Sequence, residues 1–346
     1  MIVEPTSTLT LGKYHGLGND FLIAVDPGAQ VDLGPLDARR LCHRHRGIGA
    51  DGLIHSTRAE AAVAGGAGFT LRLWNADGGE AEMSGNGIRC LAHALADAGL
   101  VPGWGPPAAE IPPPPAAEIP PPPAGEIPPP PAGEIPPPPA GEIGRPPERA
   151  VGLTVATPAG ERAVTLWPTA DPAVAWGSVA MGDVTVAGDA ERCNVGHGHL
   201  LVDVGNPHLV VLGPDPATLD VAALGPALEA SRDGGVNVEF VTLGPGPDEV
   251  TMRVWERGVG ETLACGTGSC AAAAALRHWG RVGTKVTVHQ PGGAVEVDLS
   301  GAGYRFAATL AGPSERIGTC QVAWADRRGP AGLPGPPGPA RVASRL

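Results

Sequence analysis

The sequence has few aromatic residues and little positive charge for its length. Phe, Trp and Tyr make up 4% of the 346 residues, and 24 Lys and Arg stand against 36 Asp and Glu, a formal net charge of −12. A nucleic-acid backbone or an anionic membrane would be repelled on average. No basic amino-terminal segment precedes an apolar run, and no apolar run approaches the ~20 residues of a membrane span. These absences predict a cytoplasmic protein without nucleic-acid or membrane partners.

Cysteine is sparse and lacks the pairing that metal sites and disulfide frameworks use. None of the six cysteines belongs to a C-x-x-C pair, and the H-x-H pairs at 43–45 and 197–199 have no Cys or acidic residue at ligand spacing. No metal site is therefore predicted, and surface or structural roles are favoured for these histidines. A reduced core thiol is expected for Cys42, Cys193 and Cys320.

Proline and glycine are abundant, with 40 and 52 residues, but many of the prolines lie in one tract of E-I-P-P-P-P repeats. Four-proline runs lack amide donors and favour polyproline II, so an exposed insertion is predicted, a solvated linker in preference to a partner ligand. A Gly/Pro-rich tail is predicted to be disordered. The resulting division is an amino-terminal half at 1–103, the insertion at 104–149, a carboxy-terminal half at 150–306, a final strand returning to the amino-terminal half at 307–326, and the tail at 327–346.

Periodic apolar segments elsewhere in the chain predict an α+β fold. Alternation is clearest where Val250, Met252 and Val254 share one face of a strand. The predicted strands are 70–74, 152–157, 199–205, 208–212, 237–243 and 249–255. The predicted helices are 37–45, 87–99 and 269–280, with Gly99 and Gly280 as carboxy-terminal caps of the last two.

An internal repeat relates two turns that lie far apart in the chain. GGEAEMSGNGIRC (78–90) aligns with VGETLACGTGSCA (259–271) at a constant offset that places Ser84 on Cys265. Each copy has the pattern G-E-x-x-x-[S/C]-G-x-G and runs directly into a helical pattern. A single long offset indicates two duplicated halves, since solenoid repeats have much shorter periods.

These turns have the features of anion sites. Backbone amides at a helix start, together with the helix dipole, attract negative charge, and two such turns could grip one carboxylate. The same potential is expected to lower the pKa of Cys265 from about 8.5 toward neutrality. A phosphate site could use this geometry, but no G-K-[ST] follows either turn. A structural turn is the alternative for one copy alone, and two matched copies favour a functional site.

Five motifs in this chain together resemble the diaminopimelate epimerase family. They are KYHGLGNDF (13–21), NADGGEAEMSGNG (75–87), DVGNPHLV (203–210), GVNVEF (235–240) and ERGVGETLACGTG (256–268). The resemblance implies two pseudo-symmetric α/β halves, each a strand-rich wrap around a central helix, with the active site in the cleft between them. It also implies epimerisation of LL-2,6-diaminopimelate to the meso form, for lysine and peptidoglycan precursors, without pyridoxal phosphate or metal. In the family, a thiolate removes the α-proton and a thiol on the opposite face returns one.

The resemblance assigns roles by position in the five motifs. The substrate's amino and carboxylate groups would be held by Asn19, Asn75, Asn206, Asn237, Glu256 and Arg257. Turn contacts would come from Gly85, Asn86, Gly266 and Thr267. The catalytic set would be Cys265 and Ser84, with His208 and Glu256 adjusting their acidity. An asparagine in N-A-D-G or G-N-P could instead cap a turn. The implied partner is a small-molecule substrate, and a homodimer is left open.

The chain departs from the family at Ser84, where relatives usually carry cysteine. A hydroxyl ionises far less readily than a thiol, so the two-thiol mechanism cannot be transferred intact. Cys90 lies about 240° around and ~9 Å along the helix from Ser84, and is expected to face elsewhere. Gly52 stands where some relatives place a substrate-contacting glutamine.

Three hypotheses follow from this departure. In the first, Ser84 handles one proton of a complete epimerisation while Cys265 handles the other. In the second, the protein is a one-base lyase or dehydratase, or another amino-acid racemase of the wider proline racemase superfamily. In the third, it is a catalytically silent amino-acid-binding protein.

Overall fold

The computed structural model describes residues 7–59, 68–81, 83–104, 150–189 and 197–324. Cys193, most of the proline-rich tract and the predicted tail lie outside these residues. The first strands are β1 Ser7–Gly16, β2 Asn19–Val25, β3 Gly52–Ser56, β4 Gly68–Thr70, β5 Arg72–Asn75, β6 Glu80–Ala81, β7 Val151–Thr157, β8 Gly160–Pro168 and β9 Val174–Asp189. The later strands are β10 Gly198–Asp203, β11 Pro207–Leu212, β12 Asn237–Leu243, β13 Glu249–Glu256, β14 Gly260–Thr262, β15 Lys285–Gln290, β16 Gly293–Ala302 and β17 Arg305–Trp324. The α-helices are α1 Pro35–Leu41, α2 Gly85–Asp97, α3 Val221–Glu229 and α4 Gly266–His278.

The strands close into two rings that share β9 and β17. The first ring runs β1, β2, β3, then β5 and β4, then β7, β8, β9 and β17, which pairs back onto β1. The second runs β10, β11, β12, β13, β15, β16, β17 and β9, which pairs back onto β10. Closure leaves neither ring with an unpaired edge strand, and the two rings together are one 17-stranded sheet.

The rings are related by the same order of pairings. In each ring a hairpin is followed by a parallel partner, β2 with β3 and β11 with β12. In each, the long last strand pairs with the first strand of the other ring, β9 with β10 and β17 with β1. The duplication inferred from the two turns therefore extends through the whole fold.

A buried helix fills each ring. Every residue from Gly85 to Ala96 of α2 and from Gly266 to Leu276 of α4 is buried, and both helices pack in one apolar cluster with the inward faces of the strands. Alanine dominates α4, with five consecutive copies at 271–275. Small side chains let the surrounding strands approach closely, so the helix fits as a core element with no solvent face.

The division at residue 150 does not separate the two rings. Strands β7 and β8 follow the proline-rich tract in sequence, yet they complete the ring around α2. The tract therefore lies between α2 and β7 of a single ring. A Cβ built on Gly103 would lie 3.4 Å from the side chain of Val151, so the chain returns close to the point where it left the ring.

The predicted elements exist, with shifted limits. Helices α2 and α4 are confirmed, and Gly99 and Gly280 follow their last turns with φ of 72° and 68°, as carboxy-terminal glycines do. The predicted helix 37–45 ends early, at Leu41, because the chain doubles back to bring Gly47 against the Leu41 carbonyl. The predicted strand 70–74 is divided at Leu71, whose amide donates to Ala156.

Helix α3 was not predicted, because Gly225 and Pro226 resemble a helix breaker. Gly225 lies directly against Trp255, and a Cβ there would come within 2.2 Å of the indole ring. Glycine is therefore required by packing, and the helix continues through Pro226 to Glu229. Helix α3 covers a separate apolar cluster outside the second ring.

Candidate active site

The two matched turns are the starts of the two buried helices. Ser84 is the N-cap of α2, and its Oγ accepts a hydrogen bond from the Gly87 amide at 3.0 Å. Cys265 is the N-cap of α4, and its Sγ accepts from the Gly268 amide at 3.4 Å. Both residues have extended backbone, so each side chain can reach back to the third helical amide.

The helix starts meet head to head. A Cβ built on Gly266 would lie 3.2 Å from the Cα of Gly85, so a larger residue there would crowd the approach of the two turns. Asn86 links the two turns, since its Nδ2 donates to the carbonyl of Ala264 at 3.4 Å. The positive ends of two helix dipoles, with their first-turn amides, therefore converge on one point between the rings.

Cys265 is held on several sides within this junction. Only 6% of its surface is exposed, and its Sγ lies 3.5 Å from Thr267 Oγ1. Its amide donates to Gln290 Oε1 at 2.7 Å, and Gln290 in turn donates to Ser269 in the helix. The backbone that carries the thiol is thus fixed by strand β15 as well as by α4.

The expected lowering of the Cys265 pKa is wrong. Burial raises the pKa of this thiol well above its usual value, and the carboxylates of Glu256 and Glu239 raise it further, against smaller opposing hydrogen bonds from Thr267 and Gly268. The helix-end argument omitted desolvation, which disfavours the thiolate, and the two acids contributed by distant strands.

Glu256 and Cys265 form an acid–thiol pair in which the thiol is buried and the carboxyl is partly buried. Burial raises the pKa of the Glu256 carboxyl, while hydrogen bonds from Thr262 and Cys265 and the nearby His208 oppose that rise. The hydroxyl of Thr262 donates to Glu256 Oε1 at 2.5 Å. A thiol with a raised pKa beside a carboxylate with a raised pKa can pass its proton to that carboxylate over a short distance.

His208 is bound at both ring nitrogens. Its Nδ1 lies 2.7 Å from Glu239 Oε1, with both side chains fully buried, and its Nε2 lies 2.9 Å from Asn206 Oδ1. Glu239 Oε1 accepts from Nδ1–H, and the Asn206 side-chain amide, which can offer either its oxygen or its NH2 group, pairs with Nε2. Glu239 also packs on α4, because a Cβ on Gly268 would come within 2.7 Å of its Oε1.

The Ser84 turn has different surroundings. Gly87 occupies the place in α2 that Gly268 occupies in α4. A Cβ built on Gly87 would lie 3.3 Å from Ile54 Cδ1, whereas a Cβ built on Gly268 would meet the carboxylate of Glu239. A Cβ on Gly85 would lie 3.2 Å from the methyl carbon of Met181. Ser84 itself is half-buried. The two helix starts therefore share backbone geometry but differ in the side chains placed beside them.

An amide chain leads from the junction toward solvent. Asn86 Nδ2 donates to Asn19 Oδ1 at 3.3 Å, and Asn19 Nδ2 donates to Asp51 Oδ2 at 3.0 Å. A cavity of about 420 Å³ opens beside Asn19, with Thr262 and the exposed Leu263 on its other side. The cavity reaches Thr262, whose hydroxyl donates to Glu256.

The remaining predicted substrate residues lie at strand ends. Asn237 is buried, its Nδ2 donating to the Pro207 carbonyl at 3.1 Å and its Oδ1 accepting from the Arg257 amide at 2.9 Å. The exposed Arg257 guanidinium donates to the carbonyl of Gly234 at 3.1 Å. Asn75 ends β5, opposite Gly52 of β3. The structure thus gathers Cys265, Glu256, His208 and Asn206 at one turn and joins Asn19 to Asn86 at the other.

The other thiols lie away from the junction. Cys90 is fully buried beside Ser314, and burial raises its pKa to about 11, in agreement with its expected orientation. Cys42 is a buried core residue as predicted, whereas Cys320 is only half-buried.

Within the described ranges, no three His, Cys, Asp or Glu side chains are grouped to hold a metal ion. The described helices also include none with the length and apolar character to cross a bilayer.

Sequence reasoning missed Glu239, Thr262 and Gln290. Glu239 carried a usable signal, because it is a single acid inside the apolar strand N-V-E-F-V, where burial without a partner would be costly. Thr262 and Gln290 carried none, since their roles depend on which strands lie beside α4.

Similarity to known proteins agrees with this geometry. The sequence matches the diaminopimelate epimerase family over residues 11–103 and 200–317. A diaminopimelate epimerase of Synechocystis sp. is 37% identical over 313 residues, covering 89% of this chain and 97% of the relative. A diaminopimelate epimerase of Mycobacterium ulcerans is 34% identical over 342 residues, covering 92% of this chain and 100% of the relative.

Solved structures share the fold at lower identity. A hydroxyproline epimerase from Agrobacterium vitis has a TM-score of 0.60 at 18% identity, covering 94% of this chain and 95% of that one. A phenazine biosynthesis protein of the PhzF family from Bacillus anthracis has a TM-score of 0.61 at 13% identity, covering 92% of this chain and 99% of that one. With two strand rings around buried helices, matched helix starts and full-length relatives above 30% identity, the chain belongs to the diaminopimelate epimerase family.

Proposed function

We propose that the protein epimerises LL-2,6-diaminopimelate to meso-diaminopimelate by removing and returning the α-proton. The head-to-head junction of α2 and α4, with Cys265 at its edge, carries this proposal. First-turn amides of both helices would bind the α-carboxylate, whose negative charge grows as the proton leaves. Such fixed donors stabilise the developing charge without reorganising during the reaction.

In this proposal Cys265 is a proton-transfer residue and Glu256 receives its proton. The raised thiol pKa means that thiolate is scarce at neutral pH but is a strong base when formed. The fully buried pair of His208 and Glu239 would balance the charge of Glu256 as the proton moves. Substrate contacts would come from Asn19, Asn75, Asn206, Asn237 and Arg257, and from first-turn residues Gly85, Asn86, Gly266 and Thr267.

Ser84 would face the second side of the α-carbon. Its hydroxyl is the N-cap that matches Cys265, so it stands where a proton could be returned. The apolar contact of its turn with Ile54, in place of a carboxylate, favours one alternative, a one-base reaction in which only Cys265 exchanges the proton.

Incubation of the protein with LL-diaminopimelate in deuterated water tests the proposal. Deuterium at the α-carbon together with meso product supports epimerisation. Exchange without inversion would replace it with a one-base reaction, and binding without exchange would indicate a silent binding protein. Cys265→Ala should abolish exchange, while Cys320→Ala, a half-buried thiol on β17, should not.

We also propose a cytoplasmic site of action, because the free thiols at Cys42, Cys90, Cys265, Cys270 and Cys320 suit a reducing compartment.

A homodimer is also proposed. Light scattering of the purified protein measures its mass, and a monomer at working concentration would refute the dimer.

A further inference from the structure

Arg89 is a fully buried cation that forms no ion pair with an acid among the described residues. It lies in α2, with 0% of its surface exposed, and its Nη2 donates to Asn86 Oδ1 at 2.7 Å. Its Nε and Nη1 meet no hydrogen-bond acceptor in the part of the chain that the structure describes. Burying a charge in this way is costly, so the position is unusual for a side chain with a packing role alone.

The fold leaves a fitted space for this guanidinium. A Cβ on Gly16 would lie 3.4 Å from its Nη2, one on Gly177 would lie 3.2 Å from its Cδ, and one on Gly312 would lie 3.3 Å from Nη2. These glycines belong to β1, β9 and β17, the strands where the two rings join. Burial lowers the Arg89 pKa to about 10, so the side chain is still charged at neutral pH.

Arg89 determines how the Asn86 amide is turned. A guanidinium can only donate, so Oδ1 of Asn86 must face Arg89 and Nδ2 must face the other way. That Nδ2 donates to the carbonyl of Ala264, beside Cys265, and to Oδ1 of Asn19. With its own Oδ1 occupied, Asn19 presents Nδ2 to Asp51.

We propose that Arg89 is a positioning residue that fixes the orientation of the Asn86 and Asn19 amides across the junction of the two helix starts. This inference rests on the proposed function, because the oriented amides matter only if a carboxylate binds at that junction. Arg89 acts through Asn86, and it does not itself contact the substrate.

A double-mutant cycle tests this role. Arg89→Met is expected to lower kcat/KM for LL-diaminopimelate by at least tenfold, and Arg89→Lys, which keeps a donor, should recover part of the loss. In an Asn86→Ala background, Arg89→Met should change kcat/KM by less than about twofold. Equal losses in both backgrounds would overturn the proposal, as would full activity of Arg89→Met.

Folding and the proposed function are controlled separately. His93→Leu removes another fully buried polar side chain from α2, one turn further on, and should leave kcat/KM within about twofold. Arg89→Gln replaces Arg89→Met if the latter does not fold. If the parent does not convert LL-diaminopimelate, the proposed function fails. Crystals of the Arg89 variants still decide this inference, since the distance from Asn86 Nδ2 to Asn19 Oδ1 should lengthen beyond 3.3 Å, and an unchanged distance would refute it.

Discussion

Replacing Glu239 by glutamine tests whether the buried histidine pair supports proton transfer. Glu239 Oε1 lies 2.7 Å from His208 Nδ1, and its Oε2 meets no hydrogen-bond donor among the described residues. Glutamine keeps the size and removes the charge. Hydrogen bonds to charged groups contribute about 1.5–3 kcal/mol, so kcat/KM should fall roughly 10- to 150-fold.

The same variant should move the pH dependence in a defined direction. The Glu239 carboxylate is one of the causes that raise the Cys265 pKa. Removing that charge lowers the thiol pKa, so the ascending limb of the profile of kcat/KM against pH should shift to lower pH. The melting temperature should fall, because removing one partner of a fully buried pair leaves the other without its charge partner.

Glu249→Gln is the matched control for Glu239→Gln. Glu249 Oε2 lies 2.7 Å from His289 Nε2, the same distance as in the buried pair, but both side chains are partly exposed and lie outside the junction. It should change kcat/KM by less than about twofold. Unchanged activity and an unshifted pH profile in Glu239→Gln would refute the role given to the buried pair.

Three further predictions follow from the structure. Ser84→Cys should raise the turnover of LL-diaminopimelate, because a thiol ionises more readily than a hydroxyl at the same N-cap, and a lower turnover would show that the two turns are wrongly matched. Deletion of residues 106–147 should leave kcat/KM unchanged, since Gly103 and Val151 lie side by side, and a large loss would assign the tract a role in the site. Asp20→Asn should lower the melting temperature at pH 7, and this effect should shrink as the pH falls below the unfolded pKa of about 4 toward the lowered folded pKa. Burial raises the Asp20 pKa, but hydrogen bonds and charges of Arg44 and Lys13 outweigh it and lower the pKa, so its stabilisation is present above the unfolded pKa and disappears in acid. Asp298→Asn is the control, since Asp298 forms a half-exposed surface ion pair with Lys285. If thermal scans show the same pH-dependent change in melting temperature for both variants, the role given to Asp20 is wrong.

Local patterns predicted the helices of the rings well, because their limits depend on nearby residues. The N-cap side chains and the glycines at 99 and 280 are signals within one or two turns of the helix ends they mark. Of the two long shared strands, β9 was not predicted, whereas the final strand expected at 307–326 includes the part of β17 that pairs with β1. Pro313 lies in the middle of β17, where it resembles a break, yet this strand continues as its partners change from β9 and β16 to β1.

The acidity of Cys265 could likewise not be predicted from the residues near it in the sequence. Its helix position could be inferred from the internal repeat, but its acidity depends on burial and on Glu239 and Glu256. Those acids come from β12 and β13, whose placement beside α4 follows from ring closure rather than from any pattern near residue 265. A helix-end argument taken alone therefore had the wrong sign.

The pseudo-symmetric fold separates two requirements of the site. Both helix starts keep the glycines and the side-chain cap that a converging anion site needs, so the carboxylate binding proposed above would depend on both rings. The groups that set acidity are placed unequally, with Glu239 against the first turn of α4 and Ile54 at the matching place on α2. A thiol introduced at position 84 would lack the acidic neighbour that Cys265 has. We therefore expect Ser84→Cys to raise turnover, and Ser84→Cys combined with Ile54→Glu to raise it less, because a carboxylate at the place of Glu239 raises the pKa of the thiol beside it. Equal or higher turnover of the combined variant would refute this reasoning.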